Sequence, residues 1–275
     1  MSDLGEARKE VLVDNEDGVL RITLNRPDVL NAINSRTYVL LREALDWAAE
    51  DPGIACVLLT GRGRAFTAGV DLGDDEGSVE ERWAIYDAFM QRFEGLEKPL
   101  VVAVNGIAVG IGTTMLGHAD IVLAAESARF RMPFVALGLS VEAGSSYTMP
   151  ALMGRQNAAY AFFTGEWLSA SEAAASGLVR TVVADDALAA EASALCARIA
   201  AMPVASLAAT KQMLLANRLE AARLARAREE RVFVQLQSGP DHAEALAAFA
   251  EKRKPVFRRS VESGRARERG ADTVN

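Results

Sequence analysis

Two glycine-rich stretches have the composition needed to hold a carbonyl oxygen that becomes negatively charged during a reaction. They are GRGRAFTAGVDL at 61–72 and NGIAVGIGTTMLGHAD at 105–120. Gly69 permits a tight turn that presents the backbone N–H of Ala68, and a helix that begins near Gly110 offers the free N–H groups of its first turn. Two such donors around one oxygen stabilise the enolate of a thioester. Each stretch alone is a common turn pattern, so their order along the chain must carry the interpretation.

Several side chains near these stretches are candidates for proton transfer. Glu142 lies between a Leu/Val-rich run and a Gly-Ser turn, where the simplest alternative role is a carboxylate at a helix N-terminus. Asp71 ends the first stretch, and an aspartate there is ordinarily a helix N-cap. His118 is expected to have a capping or core role at the end of the helix that follows Gly110. The acidic run at 74–76 is expected to be a solvated loop rim.

Short apolar runs alternate with amphipathic helices over the first two thirds of the chain. Four predicted strands lie within 19–27, 56–61, 99–106 and 119–126. Predicted helices at 35–52, with Ser35 as N-cap, and at 79–96 lie between them. After about residue 185 the pattern becomes Ala-rich and helical, with a long helix from Glu220 to Gln237. This order predicts an α/β core followed by a helical C-terminal region.

The C-terminal third has a different composition from the core. We divide the chain into a core at 1–200, a helical region at 201–260 and a charged tail at 261–275, which is predicted to be disordered because it holds few apolar residues. His242 is expected to be exposed in the helical region. A basic segment at 251–260 contains Lys252, Arg253, Lys254, Arg258 and Arg259, and solvated charge is its simplest role.

Composition limits the class of protein. Half of the 275 residues are apolar, which allows one large core, and the net charge is −7. That charge argues against a nucleic-acid-binding protein. The two cysteines, Cys56 and Cys196, are too few for a disulfide framework and are expected to be buried. The charged start has no apolar signal region and no run of about 18 apolar residues occurs, so we expect a cytoplasmic protein with no membrane partner.

Five motifs in a fixed order resemble the enoyl-CoA hydratase/isomerase, or crotonase, family over about residues 10–260. They are LNRPDVLNAIN (24–34), GRGRAFTAGVDL (61–72), KPLVVAVNGIAVGIG (98–112), ADIVLAAESARF (119–130) and TGEWLSASEAAASGLV (164–179). The resemblance implies an α/β fold with a ββα spiral core and a helical C-terminal trimerisation region. It also implies a homotrimer or a dimer of trimers.

The resemblance further implies a site for an acyl-CoA thioester. The N–H groups of Ala68 and Ile111 would form the oxyanion hole, and no cofactor is implied apart from the CoA that belongs to the substrate. The equivalent of the basic C-terminal segment can approach the CoA nucleotide in this family. The residues expected to contact the substrate are Gly69, Val70, Asp71, Gly110 and Phe134.

The positions at which members of this family carry catalytic acids reduce the number of reactions that are open to this protein. Hydratases of this family use two glutamates, and Thr114 and Phe134 stand at those two places. Because neither a hydroxyl of ordinary acidity nor a phenyl ring can act as a base, ordinary hydration of an enoyl-CoA is disfavoured. The segment MPFVALGLSVEAGSSYTMP resembles the matching segment of peroxisomal-type Δ3,Δ2-enoyl-CoA isomerases, which carry one Glu in the turn. Val141 departs from that pattern, since a Pro is typical there.

This likeness assigns Glu142 as the acid/base of a double-bond shift. One carboxylate is sufficient, because it can remove a proton at C2 and return one at C4 without water. An apolar pocket is expected to raise the pKa of the carboxyl toward neutrality. Expected lining residues include Phe134, Leu137, Leu139 and Met149.

Two other functions remain open from sequence. Glu142 could act as a nucleophile or as a water-activating base in acyl-CoA hydrolysis or dehalogenation, and a trapped covalent adduct would identify that chemistry. A serine nucleophile is not supported, because Ser145 and Ser146 have no G-x-S-x-G context and no ordered His partner. The second alternative is a catalytically silent acyl-CoA-binding protein, which would bind CoA esters tightly without turnover.

Overall fold

A computed structural model describes residues 10–74 and 77–257. The predicted tail at 261–275 lies outside the described residues. So do Asp75 and Glu76 of the acidic run, and Arg258 and Arg259 of the basic segment.

The larger of two sheets has six strands in the order β1-β2-β3-β5-β7-β10. These strands are β1 Val11–Glu16, β2 Val19–Leu24, β3 Cys56–Gly61, β5 Leu100–Val104, β7 Ile121–Ala125 and β10 Thr181–Val183. β1 and β2 are antiparallel, and every other neighbouring pair is parallel. The central strands are apolar along their whole length because parallel strands covered on both faces expose neither.

The smaller sheet carries the glycine-rich loops. Its strands are β4 Ala65–Thr67, β6 Ile107–Val109, β8 Arg129–Arg131 and β9 Leu168–Ser169. The parallel β4, β6 and β8 each follow a strand of the larger sheet, so the chain repeatedly makes one strand in each sheet before its next helix. This repeat confirms the predicted ββα spiral core. Because β4 and β6 are paired, the loops that leave them lie side by side.

Ten α-helices occupy the described residues. They are α1 Ser35–Glu50, α2 Val79–Glu94, α3 Ile111–Thr114, α4 Ser145–Met153, α5 Arg155–Thr164, α6 Ala170–Ser176, α7 Leu188–Ala200, α8 Val204–Ala216, α9 Leu219–Gln237 and α10 Pro240–Ala250. Short 3₁₀ helices span Pro27–Val29, Met115–His118 and Val135–Leu137. The described residues that follow β10 contain only helices, as the Ala-rich pattern predicted.

The start of α1 corrects two expectations. Ser35 is not the N-cap, because Asn34 precedes the helix and its side chain accepts the Thr37 N–H at 2.8 Å. Ser35 instead donates its N–H and its hydroxyl to Asp74, each at 2.6 Å. Asp74 is therefore not simply part of a solvated rim, since it ties the loop after β4 to α1.

The C-terminal helices cover the core in two places. α7 packs on the larger sheet, where Cys56 and Cys196 are both buried as expected. His242 on α10 is buried, so the expectation of exposure was wrong: its Nδ1 lies 2.8 Å from the Leu137 carbonyl oxygen. By length and composition, no single described helix could cross a membrane, although α7 and α8, bent by 104°, meet that test as a pair.

A buried ion pair connects the helical region to the larger sheet. Asp120 accepts hydrogen bonds from the Lys211 ammonium at 2.5 Å and from the Leu100 N–H at 2.8 Å. The Lys211 side chain is only 4% exposed. Asp120→Ala would leave that charge buried without its partner, so we expect the free energy of unfolding to fall by about 3–5 kcal/mol in urea denaturation. Glu251→Ala, which removes one partner of an exposed ion pair with Arg253, is the control and should leave stability near the wild-type value.

Candidate active site

The two glycine-rich loops touch through their backbones. At Gly69 (φ +93°), a Cβ atom would lie 2.7 Å from the Val109 carbonyl oxygen. At Gly112, a Cβ atom would lie 2.5 Å from the Thr67 side chain. Real side chains do not tolerate such distances, so glycine at both positions allows the loops to approach closely. The loop after β4 and the start of α3 therefore form one continuous surface.

Several N–H groups of this surface donate to protein acceptors and are therefore not available to a ligand. The Ala68 N–H donates to the Leu30 carbonyl at 2.9 Å, so the prediction that it faces the substrate is wrong. Gly69 donates to the Thr67 hydroxyl, and Asp71 donates to the Ile33 carbonyl.

Val70 and Ile111 each carry one of the N–H groups on these loops that have no acceptor among the described residues. The Val70 N–H has no protein acceptor among the described residues, because the parallel bridge with Ile33 uses only the Gly69 carbonyl and the Asp71 N–H. The Ile111 N–H, in the first turn of α3, likewise has no acceptor in the described part of the chain. Val70, rather than Ala68, therefore offers an N–H group from which a ligand oxygen could accept a hydrogen bond.

Glu142 is buried, and its carboxyl group contacts two hydroxyl groups. One carboxyl oxygen accepts the Thr114 hydroxyl at 2.5 Å, and the other accepts the Tyr86 phenol at 2.8 Å. The residue is 6% exposed. Burial is the main reason that the pKa of Glu142 is raised to about 7, and the negative charges of Glu229 and Glu230 raise it as well. The hydrogen bonds from Thr114 and Tyr86 act in the opposite direction and lower the pKa. A carboxyl with this pKa can both accept and release a proton near neutral pH.

Thr114 connects Glu142 to the start of α3. It lies at the end of that helix, one turn after Ile111, and its hydroxyl also lies 3.2 Å from the Gly110 carbonyl oxygen. The hydroxyl can accept a hydrogen bond from neutral Glu142 while it donates one to the Gly110 carbonyl, or it can donate one to ionised Glu142. One short helix therefore carries both the Ile111 N–H and a hydroxyl that contacts the Glu142 carboxyl.

The turn that carries Glu142 has an uncommon backbone. Ala143 has φ +60°, a left-handed conformation that costs a residue with a side chain about 1–2 kcal/mol. His118 supports it, since its Nε2 lies 2.7 Å from the Ala143 carbonyl oxygen and must donate the proton there. Burial lowers the pKa of His118. The expected core role of His118 agrees with these contacts.

The remaining predicted residues occupy the same region. The Asp71 carboxylate pairs with Arg26 at 2.9 Å, and no helix begins there, so the N-cap role was wrong. Gly110 precedes α3, and Phe134 is buried at the start of the Val135–Leu137 turn. Their contact with a substrate stays a prediction. Among the described residues, no group of three His, Cys, Asp or Glu side chains is placed to hold a metal ion.

The sequence placed Tyr86 within the helix predicted at 79–96 but did not reveal its bond to Glu142. The ring is packed edge-on between Trp83 and Tyr38, with centroids 5.4 and 5.7 Å away. The Tyr38 hydroxyl is buried and has no hydrogen-bond partner among the described residues. Burial, followed by the charges of Glu142 and Asp74, raises the pKa of Tyr38.

Comparison with known proteins places this site in a family. The sequence model described as Enoyl-CoA hydratase/isomerase matches residues 14–260. The chain belongs to the enoyl-CoA hydratase/isomerase family. Members of this family act on acyl-CoA thioesters, and the predicted crotonase fold is confirmed by solved structures. One is an enoyl-CoA hydratase/isomerase from Pseudoalteromonas atlantica T6c, with a TM-score of 0.87 and 37% identity over 91% of this chain and 100% of that one.

The curated relatives of this enoyl-CoA hydratase/isomerase family member include proteins named as isomerases and proteins named as hydratases. The 1,2-epoxyphenylacetyl-CoA isomerase of Escherichia coli is 38% identical over 90% of this chain and 97% of its own length. The human enoyl-CoA delta isomerase 2 is 40% identical over 64% of this chain and 46% of its own length.

In this family member, Tyr86→Phe tests the hydrogen bond that lowers the pKa of Glu142. Without the phenol the ionised carboxyl loses a donor, so we expect the pKa to rise above about 7. Infrared titration of the protonated carboxyl, assigned by its loss in Glu142→Gln, would measure the change. Tyr38→Phe removes a neighbouring phenol that makes no recorded bond to Glu142 and should shift the midpoint less. A fall in the midpoint of Tyr86→Phe would contradict this account.

Proposed function

We propose that the protein shifts the C3–C4 double bond of an enoyl-CoA to C2–C3, with Glu142 as the only proton shuttle. The observation that carries the proposal is the Glu142 carboxyl, which is buried, held at both oxygens by hydroxyls and tuned to a pKa of about 7. Thr114 and Phe134 supply no second carboxylate, so activation of a water by two acids has no support here. The two isomerase-named relatives support the same class of reaction.

The chain's free N–H groups would stabilise the intermediate. The N–H groups of Val70 and Ile111 would donate to the thioester oxygen as it gains negative charge. Ionised Glu142 would take a proton from C2, and the electron pair of that C–H bond would move into the enolate. The enolate would then re-form the thioester carbonyl, shift its double bond to C2–C3 and take the same proton at C4. Glu142 ends in its starting form and no other reactant is consumed.

Paired assays test the reaction. The protein would be given trans-3-hexenoyl-CoA and, separately, crotonyl-CoA, with products followed by chromatography and mass detection. Conversion of the first to its 2-enoyl isomer, with no hydration of the second, is the expected result. Hydration of crotonyl-CoA that survives Glu142→Gln would mean that another acid supplies the base and would overturn the proposal.

The buried Tyr38 hydroxyl favours a second candidate function, which is isomerisation of an acyl-CoA whose acyl chain carries a further oxygen, such as an epoxide. It lacks a partner among the described residues, and a substrate oxygen could accept its proton. The E. coli relative is named for such a substrate, 1,2-epoxyphenylacetyl-CoA. For this candidate, Tyr38→Phe should slow turnover of the epoxide and spare trans-3-hexenoyl-CoA; equal effects on both would remove its support.

We further propose a homotrimer, or a dimer of trimers, assembled through the C-terminal helices. The support is a set of exposed apolar side chains on α8, α9 and α10: Met213, Leu214, Leu224, Val232, Leu246 and Phe249. Light scattering of the purified protein should give three or six times the chain mass, and a monomeric mass would refute the assembly.

A further inference from the structure

We propose that Glu229 is a positioning residue that fixes the turn carrying Glu142 and places a second negative charge beside it. The inference rests on the proposed role of Glu142. Glu229 comes from α9, far from Glu142 in sequence, and touches neither Glu142 oxygen in the described hydrogen bonds. It therefore acts through the backbone and through its charge.

The contact of Glu229 with the turn is bidentate. One carboxylate oxygen accepts the Gly144 N–H at 2.6 Å, and the other accepts the Ser146 N–H at 2.7 Å. Glu229 is only 6% exposed, so solvent competes little for these bonds. Short bonds from N–H groups to a buried carboxylate are among the stronger hydrogen bonds in proteins. They hold the segment directly after Glu142.

The turn needs this support because of its backbone conformation. Ala143 is left-handed, at φ +60°, and its carbonyl oxygen is contacted on the other side by the His118 ring. Glu229 and His118 thus hold the residues after Glu142 from two directions. Loss of either contact would let the turn relax, and a displacement of about 1 Å at a reacting group can cost 100-fold in rate.

The charge of Glu229 has a separate effect. The titratable groups around Glu142 are Tyr86 on α2, Tyr38 on α1, His118 after α3, and Glu229 and Glu230 on α9. Glu229 and Glu230 both disfavour ionisation of Glu142. The nearby cation Arg226 pairs with other acids: Asp87, Glu94 and Glu230. Among the described residues, Arg226 makes no ion pair with Glu229.

Three variants separate the two effects. Glu229→Gln removes the charge and turns an NH₂ group toward a backbone N–H, and Glu229→Asp keeps the charge but shortens the reach. Glu230→Gln removes a charge that pairs with Arg226 and makes no hydrogen bond to the turn among the described residues. Infrared titration of the Glu142 carboxyl reports the charge effect, and kcat for trans-3-hexenoyl-CoA at high pH reports the geometry. Thermal melts identify any variant that fails to fold.

The expected results differ among the variants. The midpoint of the Glu142 titration should fall below about 7 in Glu229→Gln and in Glu230→Gln. It should stay at about 7 in Glu229→Asp, which keeps the charge. Turnover should fall on the order of 10- to 100-fold in both Glu229 variants and stay near wild type in Glu230→Gln. Wild-type kcat in folded Glu229→Asp and Glu229→Gln would overturn the positioning role. If the wild type isomerises no 3-enoyl thioester, the proposed function fails. Independently of that result, an unchanged Glu142 midpoint in Glu229→Gln would overturn the charge effect.

Discussion

Glu142→Gln is expected to lower kcat for trans-3-hexenoyl-CoA by about 10²- to 10⁴-fold, the usual contribution of a general acid/base. Glutamine keeps the size of the side chain but cannot take the C2 proton. Binding of the CoA ester should persist, because the N–H groups of Val70 and Ile111 are unchanged. In the wild type, kcat/KM should rise with pH through about 7, since proton removal requires the ionised form.

The same substitution should stabilise the protein at alkaline pH. Glu142 has a folded-state pKa of about 7 against an ordinary 4.5, so it contributes stability below 4.5 that is lost as pH rises through 7. That difference corresponds to about 3 kcal/mol. Glu142→Gln should therefore gain up to about 3 kcal/mol over the wild type at pH 8, measured by urea denaturation, and gain little at pH 4. Equal stability at both pH values would contradict the raised pKa.

Val70→Pro should lower kcat by about 10²- to 10³-fold, because it would remove one of the two proposed donors to the developing oxyanion. Proline has no N–H, and the Val70 N–H makes no protein hydrogen bond among the described residues. The bridge to Ile33 uses the Gly69 carbonyl and the Asp71 N–H, so it can survive the change.

Val70→Ala is the matched control for this donor. It keeps the N–H and trims a side chain that is 53% exposed, so its kcat should stay close to wild type. Melting curves should show both variants folded. If Val70→Pro is folded and fully active, the second donor must lie elsewhere.

Much of the secondary structure could be predicted from the sequence. The predicted strand at 56–61 matches β3, and the predicted helices at 35–52 and 79–96 match α1 and α2 within two residues. These elements are signalled by local apolar spacing and by turn residues. The identity of the helix cap was less secure, because Asn34 and Ser35 are both good caps and Asp74 decided between them from a distant loop.

The site was less legible because its contacts join distant parts of the chain. Tyr86 and Glu142 are 56 positions apart, and the sequence placed Tyr86 only within a predicted helix. Glu229 contacts the turn from α9, 85 positions after Gly144. Choosing Val70 over Ala68 required the bridge to Ile33, since a parallel pairing uses alternate N–H groups and a glycine-rich sequence does not reveal its register.

The enclosure of Glu142 has a consequence for isotope labels. Both of its oxygens face protein hydroxyls and little of the residue meets solvent, so a proton on it should exchange slowly with bulk water. An atom of deuterium at C2 of the substrate should then reappear at C4 of the same molecule, delivered to the same face of the acyl chain. The hydrogen at C4 of each product molecule would thus be the one removed from C2 of the same substrate molecule, and it would lie on the same face of the acyl chain.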